Sequence, residues 1–234
     1  MEDNRNTGAA FILGIMLIAS AYLLSNTLHK AQHSDRYVTV KGLAEREVDA
    51  DLAIWPIEFS VTTNDLQLMH KKLSQKKDIV KDFLIASGFV EKEISLSTPT
   101  IVDTETAYYR EKKTEFRYIG EMVINVRSNK VNLVKTTRAK TIELLSKGIV
   151  LSGKGYSSRV EYIFTSLNKI KPAMIKEATQ NARKAAEEFA KDSDSKVGKL
   201  KHAHQGFFSI SDLDSNSPDR KKIRVVTTLK YYLN

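Results

Sequence analysis

A period of two residues runs through four long stretches of the chain, and it constrains the fold more than any other feature. In RYVTVKG, Val38 and Val40 share a face, and the alternation continues through LAEREV to a turn at Asp49-Ala50-Asp51. In FRYIGEMVINV, the residues Phe116, Tyr118, Met122, Ile124 and Val126 fall on one side. In the closing KKIRVVTTLKYYL, Ile223, Val225, Leu229 and Tyr231 do the same. Successive side chains of a strand point to opposite faces, so each stretch predicts a strand with one buried face. The remaining stretch, LAIWPIEFSVTT, has Leu52 and Ile54 in even positions before Pro56, then Ile57, Phe59 and Val61 in odd positions after it. That change of parity predicts a β-bulge at Pro56, because proline cannot donate to a ladder.

Strands with a single buried face need cover, and three helical patterns supply it. Asn64 is expected to cap a helix over Asp65 to Ser87, with Leu66, Met69, Leu73, Val80, Phe83 and Leu84 inward and Gly88 at its end. A second is expected from Val131 to Lys147, stopping at Gly148. The third starts between Asn168 and Pro172 and reaches Lys191, with Ala178, Ala182, Ala185, Ala186 and Phe189 inward. Further strands are expected in EISLSTPTIV, RVEYIFTSL and KVGKLKHAHQG, and SDLDSNSPDR reads as a polar loop. The order β-β-α-β-β-α-β-α-β-β gives an α+β fold, antiparallel-rich mixed sheets with helices packed on one face.

One segment stands outside this pattern. Gly8 to Ser25 holds 18 residues without a charge, a helix of roughly 27 Å, close to the hydrocarbon thickness of a bilayer. Ala19-Ser20-Ala21 offers a small-x-small cleavage site, but Tyr22, Leu23 and Leu24 prolong the apolar run beyond it, which favours an N-terminal transmembrane helix left in place. Residues 1–28 are therefore expected to anchor the chain, 29–36 to link, and 37–234 to form the folded domain. Arg5 is offset by Glu2 and Asp3, and His29 and Lys30 flank the other end, so charge bias leaves the orientation open.

The net charge is +9, and residues 1–30 contribute none of it, because Arg5 and Lys30 balance Glu2 and Asp3. A basic folded part attracts acidic partners of several kinds. Its densest cluster, Lys71, Lys72, Lys76, Lys77 and Lys81 on the first helix, reads as a solvated face; a membrane anchor argues against nucleic acid. There is no cysteine. Disulfides, thiolate metal sites and cysteine nucleophiles are excluded, and the composition suits a compartment outside the reducing cytosol.

Candidate sites are few. GIVLSGKG matches a phosphate loop at Gly148, Gly153 and Lys154, but Gly155 stands where the metal-binding hydroxyl belongs. The loop also follows a helix and precedes a strand, the reverse of what phosphate binding needs. It reads as a helix cap and a turn. His202 and His204 share one side of a strand, yet a metal needs more ligands, and His29, His33 and His70 lie elsewhere. Asp212, Asp214 and Asn216 open like a calcium loop, but Ser217 and Ile223 occupy the glycine and glutamate positions. Glu45 and Glu47 share a strand face as any solvent-facing pair does. No G-x-S-x-G elbow occurs. No catalytic, cofactor-binding or metal-ligating residue is assigned, and no cofactor.

The folded part resembles the SIMPL-domain family, the YggE-like envelope proteins of bacteria. VTVKGLAEREVDADLAIWPIEFSV is similar to that family's opening strand pair, EATQNARKAAEEFAKDSDSKVGKL to its alanine-rich helix and glycine-bearing strand, and IRVVTTLKYYL to its closing strand. Ala44 replaces a family glycine and Ala50 the turn proline, which puts turn geometry in question. The resemblance spans Arg36 to Leu233. It implies an extracytoplasmic domain, self-assembly, and a link to envelope and oxidative stress, with no catalytic residue to carry over. The expectation is a non-enzymatic envelope protein of the inner membrane, single-pass, with its C-terminal domain in the periplasm. It would act as a homo-oligomer or on an unidentified protein or lipid partner, without nucleic acid. The rivals are a membrane-tethered enzyme or metal-binding protein, and a basic domain on anionic lipid or nucleic acid.

Overall fold

The computed structural model describes residues 14–18, 20–21, 36–106, 115–152 and 159–234. Residues 14–18 and 20–21 are helical; the rest of the expected anchor, residues 1–13, 19 and 22–28, lies outside the described residues. Among the described residues no helix is long and apolar enough to cross a membrane. From Tyr37 onward the chain is a mixed α+β protein with antiparallel sheets. Its elements are β1 (Tyr37–Asp49), β2 (Leu52–Thr63), α1 (Leu66–Ala86), β3 (Ile94–Leu96), β4 (Thr100–Asp103), β5 (Tyr118–Ser128), α2 (Val131–Ala139), α3 (Ile142–Ser146), β6 (Glu161–Ile163), α4 (Leu167–Asp192), β7 (Val197–Gln205), β8 (Ser209–Asp212) and β9 (Arg220–Leu233).

Two sheets form. In one, β9 is flanked by β1 on one side and by β7 and β8 on the other; in the second the order is β3-β5-β2-β6, with β4 also on β5. Two compact units result. One comprises residues 1–45, 171–209 and 224–234, the other 46–170 and 210–223. In the second unit, Trp55, Ile57 and Phe59 of β2 and Met122, Ile124 and Val126 of β5 pack with Met69, Leu73, Val80 and Leu84 of α1. In the first, Val38 and Val40 of β1 and Leu229 and Tyr231 of β9 pack with Ala182 and Ala186 of α4.

The expected bulge at Pro56 is absent. β2 pairs with β5 in one unbroken register from Ala53↔Ser128 to Thr63↔Tyr118; Leu52 is buried as expected, but from Ala53 onward the buried apolar residues are Ala53, Trp55, Ile57, Phe59 and Val61, all odd, and Ile54 is not among them. Both parities are apolar before the proline, and Trp55 takes the core side. Pro56 is tolerated because of where its missing N–H would point. The neighbouring Glu58 carbonyl accepts from the Ser152 N–H, so even residues of β2 face the edge away from β5. Among the described residues, β6 pairs on that edge with Leu52 to Ile54 alone, and the next pairing is the Phe59↔Leu151 bridge. Pro56 sits in the gap.

The helices also differ in detail. Asp65, not Asn64, caps α1: its carboxylate accepts the Gln67 and Leu68 N–H groups, while the Asn64 side-chain oxygen accepts the Arg117 N–H. Leu66, expected inward, is 52% exposed. The single helix expected over Val131 to Lys147 is two, because the chain tightens at Lys140 and Thr141. There the Thr141 hydroxyl and N–H both donate to the Arg138 carbonyl, competing with continued α-helical bonding. On α4 the buried stripe is Met174, Ala178, Ala182, Ala186 and Ala190. Ala185 is exposed and Phe189 is 54% exposed, against expectation.

Small residues explain the tight seat of α4 within its unit. A Cβ on Gly42 of β1 would lie 1.9 Å from the Ala178 carbonyl oxygen and 2.3 Å from the Ala182 nitrogen. Only hydrogen fits between strand and helix there. The EISLSTPTIV strand is broken into β3 and β4 around Pro99, the RVEYIFTSL strand is reduced to β6, and SDLDSNSPDR is partly a strand, since β8 pairs with β9. Phe116 precedes β5 and is 39% exposed rather than inward.

Candidate functional site

The two glycine caps settle part of the phosphate-loop motif. At the end of α3, the Gly148 N–H donates to Leu145 and the Ile149 N–H to Leu144, and Gly148 has φ +75°. Leu144 and Ile149, which meet across this motif, are both fully buried. Gly88 ends α1 in the same way, with φ +101° and bonds from Gly88 to Ile85 and Phe89 to Leu84. Both are Schellman caps. Among the described residues that follow Gly148 before β6 no helix begins; the chain passes to Leu151, which bridges to Phe59. Gly153, Lys154 and Gly155 lie outside the described residues.

The other sequence candidates are scattered or satisfied. His202 and His204 of β7 stand opposite Lys230 and Thr228 of β9, whose neighbours Leu229 and Tyr231 take the buried side; both histidines are exposed. His70 is exposed on α1, and His29 and His33 lie outside the described residues. Among the described residues no group of three His, Asp or Glu side chains is placed to hold a metal ion. Asp214 accepts the N–H groups of Asn216 and Ser217, a local turn, while Asp212 pairs with Lys221. Glu45 faces Arg224 and Glu47 faces Arg220, so these carboxylates serve surface ion pairs.

Among the described residues, the clefts within the unit of residues 46–170 and 210–223 include two of more than 500 Å³. The first, of about 560 Å³, is walled by Pro56, Arg159, Glu161, Asp212 and Lys221 among others. Lys221 points inward from β9 with its side chain 10% exposed and meets Asp212. Both signs of charge are present, and the buried cation already has its counterion.

The second cleft, of about 590 Å³, runs beside β2 and is lined by Lys72 and Lys76 of α1 and by Lys147, with Ser60, Gln75 and Val150 among its other walls. Among the described residues no carboxylate lines it. The half-buried Lys76 ammonium donates to the Ser60 carbonyl oxygen at 3.0 Å. Burial, and then the charge of Lys72, push the Lys76 amine below its ordinary value. Two other lysines of this helix have acidic partners instead. Lys77 pairs with Asp78 and Lys81 with Glu91.

The family model SIMPL, described as a protein of unknown function (DUF541), matches residues 38–225. The chain belongs to the SIMPL family. No curated protein matches it. The SIMPL match runs from the start of β1 into β9, so it draws on both compact units.

What the sequence grouped as one lysine face, this SIMPL chain divides. The signal was present in part: Lys72 and Lys76 are four apart and therefore neighbours on one helix face. Lys147 joins them across 75 positions of sequence, and only the cap at Gly148 and the bridge at Leu151 bring it there.

Proposed function

We propose that this SIMPL chain is a membrane-anchored, non-enzymatic protein of the bacterial cell envelope that acts through self-assembly or partner binding. The uncharged run of residues 8–25 supports the anchor. The absence of cysteine and the family support the periplasmic side of the inner membrane for the folded part.

The observation that carries self-assembly is the flank of β1 away from β9 over Tyr37 to Lys41, where no strand pairs with it among the described residues. The Leu233 N–H donates to the Arg36 carbonyl at one end of the pairing, and the Ala50 N–H to Asp219 at the other. β1 and β9 are thus antiparallel, and even residues of β1 bond toward β9. Tyr37, Thr39 and Lys41 turn their N–H groups to the other side, where no strand pairs with β1 among the described residues. A long, regular edge strand is a template for another chain.

Sedimentation of the full chain in nonionic detergent at micromolar concentration tests this. Discrete species larger than the monomer are expected, shifted to monomer in Thr39→Pro, which deletes one outward N–H and leaves the β9 ladder intact. The variant's melting temperature should stay within a few degrees of the parent's. A monomeric parent chain would remove self-assembly from the reading.

A further inference from the structure

The lysine cleft beside β2 has a companion feature in the same unit. Ile142 and Leu145 of α3 and Val150 are 71%, 55% and 61% exposed, and Val150 is itself a wall of the cleft. Single exposed apolar residues are ordinary. Here three fall within nine residues that also contain Lys147, one of the cleft's three cations. The break between α2 and α3 places Leu144 in the core and leaves Ile142 and Leu145 outward.

We propose that this cleft holds the phosphate headgroup of an anionic phospholipid at a bilayer surface, with Ile142, Leu145 and Val150 entering the interface beside it. The cations argue for an anion: Lys72, Lys76 and Lys147 line one concavity with no carboxylate in its walls among the described residues, whereas Lys77 and Lys81 of the same helix have acidic partners. Lys76 spends one donor on Ser60 and has others for a phosphate oxygen. An anion would also relieve the burial and the Lys72 charge that oppose protonation of Lys76.

The apolar residues select the lipid over a soluble phosphate. A free phosphate would use the lysines and leave Ile142, Leu145 and Val150 in water. A bilayer takes both, the cations at its headgroups and the apolar side chains at the acyl boundary, as interfacial amphipathic surfaces do. The site belongs to the folded part and does not depend on the N-terminal anchor.

The test measures acetylation rates of individual lysines by mass spectrometry on the full chain. It is mixed with neutral phosphatidylcholine vesicles, with vesicles containing phosphatidylglycerol, or with neutral vesicles plus soluble glycerol phosphate. Lys72, Lys76 and Lys147 should react at least fivefold more slowly with phosphatidylglycerol vesicles alone, while exposed Lys184 on α4 is unchanged. Lys72→Gln with Lys147→Gln should weaken the protection of Lys76 about fivefold per lysine removed. Ile142→Ser with Leu145→Ser should reduce protection of all three without altering the melting temperature. Equal rates with neutral and anionic vesicles would overturn the proposal. So would equal protection by glycerol phosphate, which would make the cleft a soluble-anion site, or equal slowing of Lys184, which would mean a general coating of a basic protein. Flotation with neutral vesicles separately reads the N-terminal anchor, so failure of one reading is distinguishable from failure of the other.

Discussion

Asp51 shows how one side chain secures a distant segment. It sits between β1 and β2, and its carboxylate accepts the N–H and hydroxyl of Thr165 and the N–H of Ser166, just before α4 begins. Burial opposes its ionisation, but the Thr165 and Ser166 hydrogen bonds together outweigh this and hold the carboxyl below its ordinary range. Asp51→Ala should destabilise the fold by about 1–2 kcal/mol at neutral pH, toward the lower part of the range for bonds to a charged acceptor. A folded value below the unfolded one means the stabilisation is complete above about pH 4 and fades as pH falls through the folded value. Denaturant melts of both proteins at pH 7 and pH 3 should therefore show a gap that narrows in acid; a constant gap would assign Asp51 a role independent of its charge. The sequence marked Asp51 as a turn residue, because aspartate is common there. Its partners lie 114 and 115 positions away, and no local pattern carries them. Pro56 was misread for the opposite reason. Local pattern was plentiful, with apolar residues on both parities, and the choice was made by the pairing with β5.

At the scale of elements, periodicity carried strands well and helix faces less well. The alternation of β1, β5 and β9 is visible in the sequence because one face is buried and a one-residue slip would expose it. α4 was legible as an alanine-rich helix, but its face was misplaced by including Ala185 and Phe189. The buried set advances by four residues each step, from Met174 to Ala190, and what selects it is the approach of β1 at Gly42. That contact is between segments about 136 positions apart, counting from Gly42 to Ala178, so helix periodicity alone does not reveal it. Gly42→Ala should be among the most damaging single-methyl changes in the chain. Its Cβ meets backbone atoms at 1.9 and 2.3 Å, and backbone yields less readily than a side chain. A loss at the upper end of about 1–3 kcal/mol is expected from calorimetry or denaturant melts. Ala185→Gly, on the exposed side of the same helix, should lose only about 1 kcal/mol through helix propensity. Comparable losses at the two positions would mean that close packing does not set the face.

For the whole molecule, long-range assembly was the least legible level. The unit of residues 1–45, 171–209 and 224–234 is assembled from three separate segments, which no local pattern in the sequence ties together. The lysine cleft escaped for the same reason, since its third cation comes from another element. The proposed topology is a property of this scale too. All of the net +9 charge lies beyond residue 30, whereas the flanks of the uncharged run are nearly balanced and do not orient it. The basic excess is too widely spread to act as a local retention signal, because only charges within about 15–20 residues of a span bias its insertion. The envelope reading therefore rests on the family and on the lack of cysteine, and orientation must be measured directly. Alkaline phosphatase, which needs an oxidising compartment, should be active when fused after Asn234. A fluorescent protein that matures only in the cytoplasm should be dark at the same position. A bright, phosphatase-negative pair would place the folded part in the cytoplasm. That would remove the periplasmic assignment while leaving the fold, the β1 edge and the lysine cleft as they are, now facing the inner leaflet.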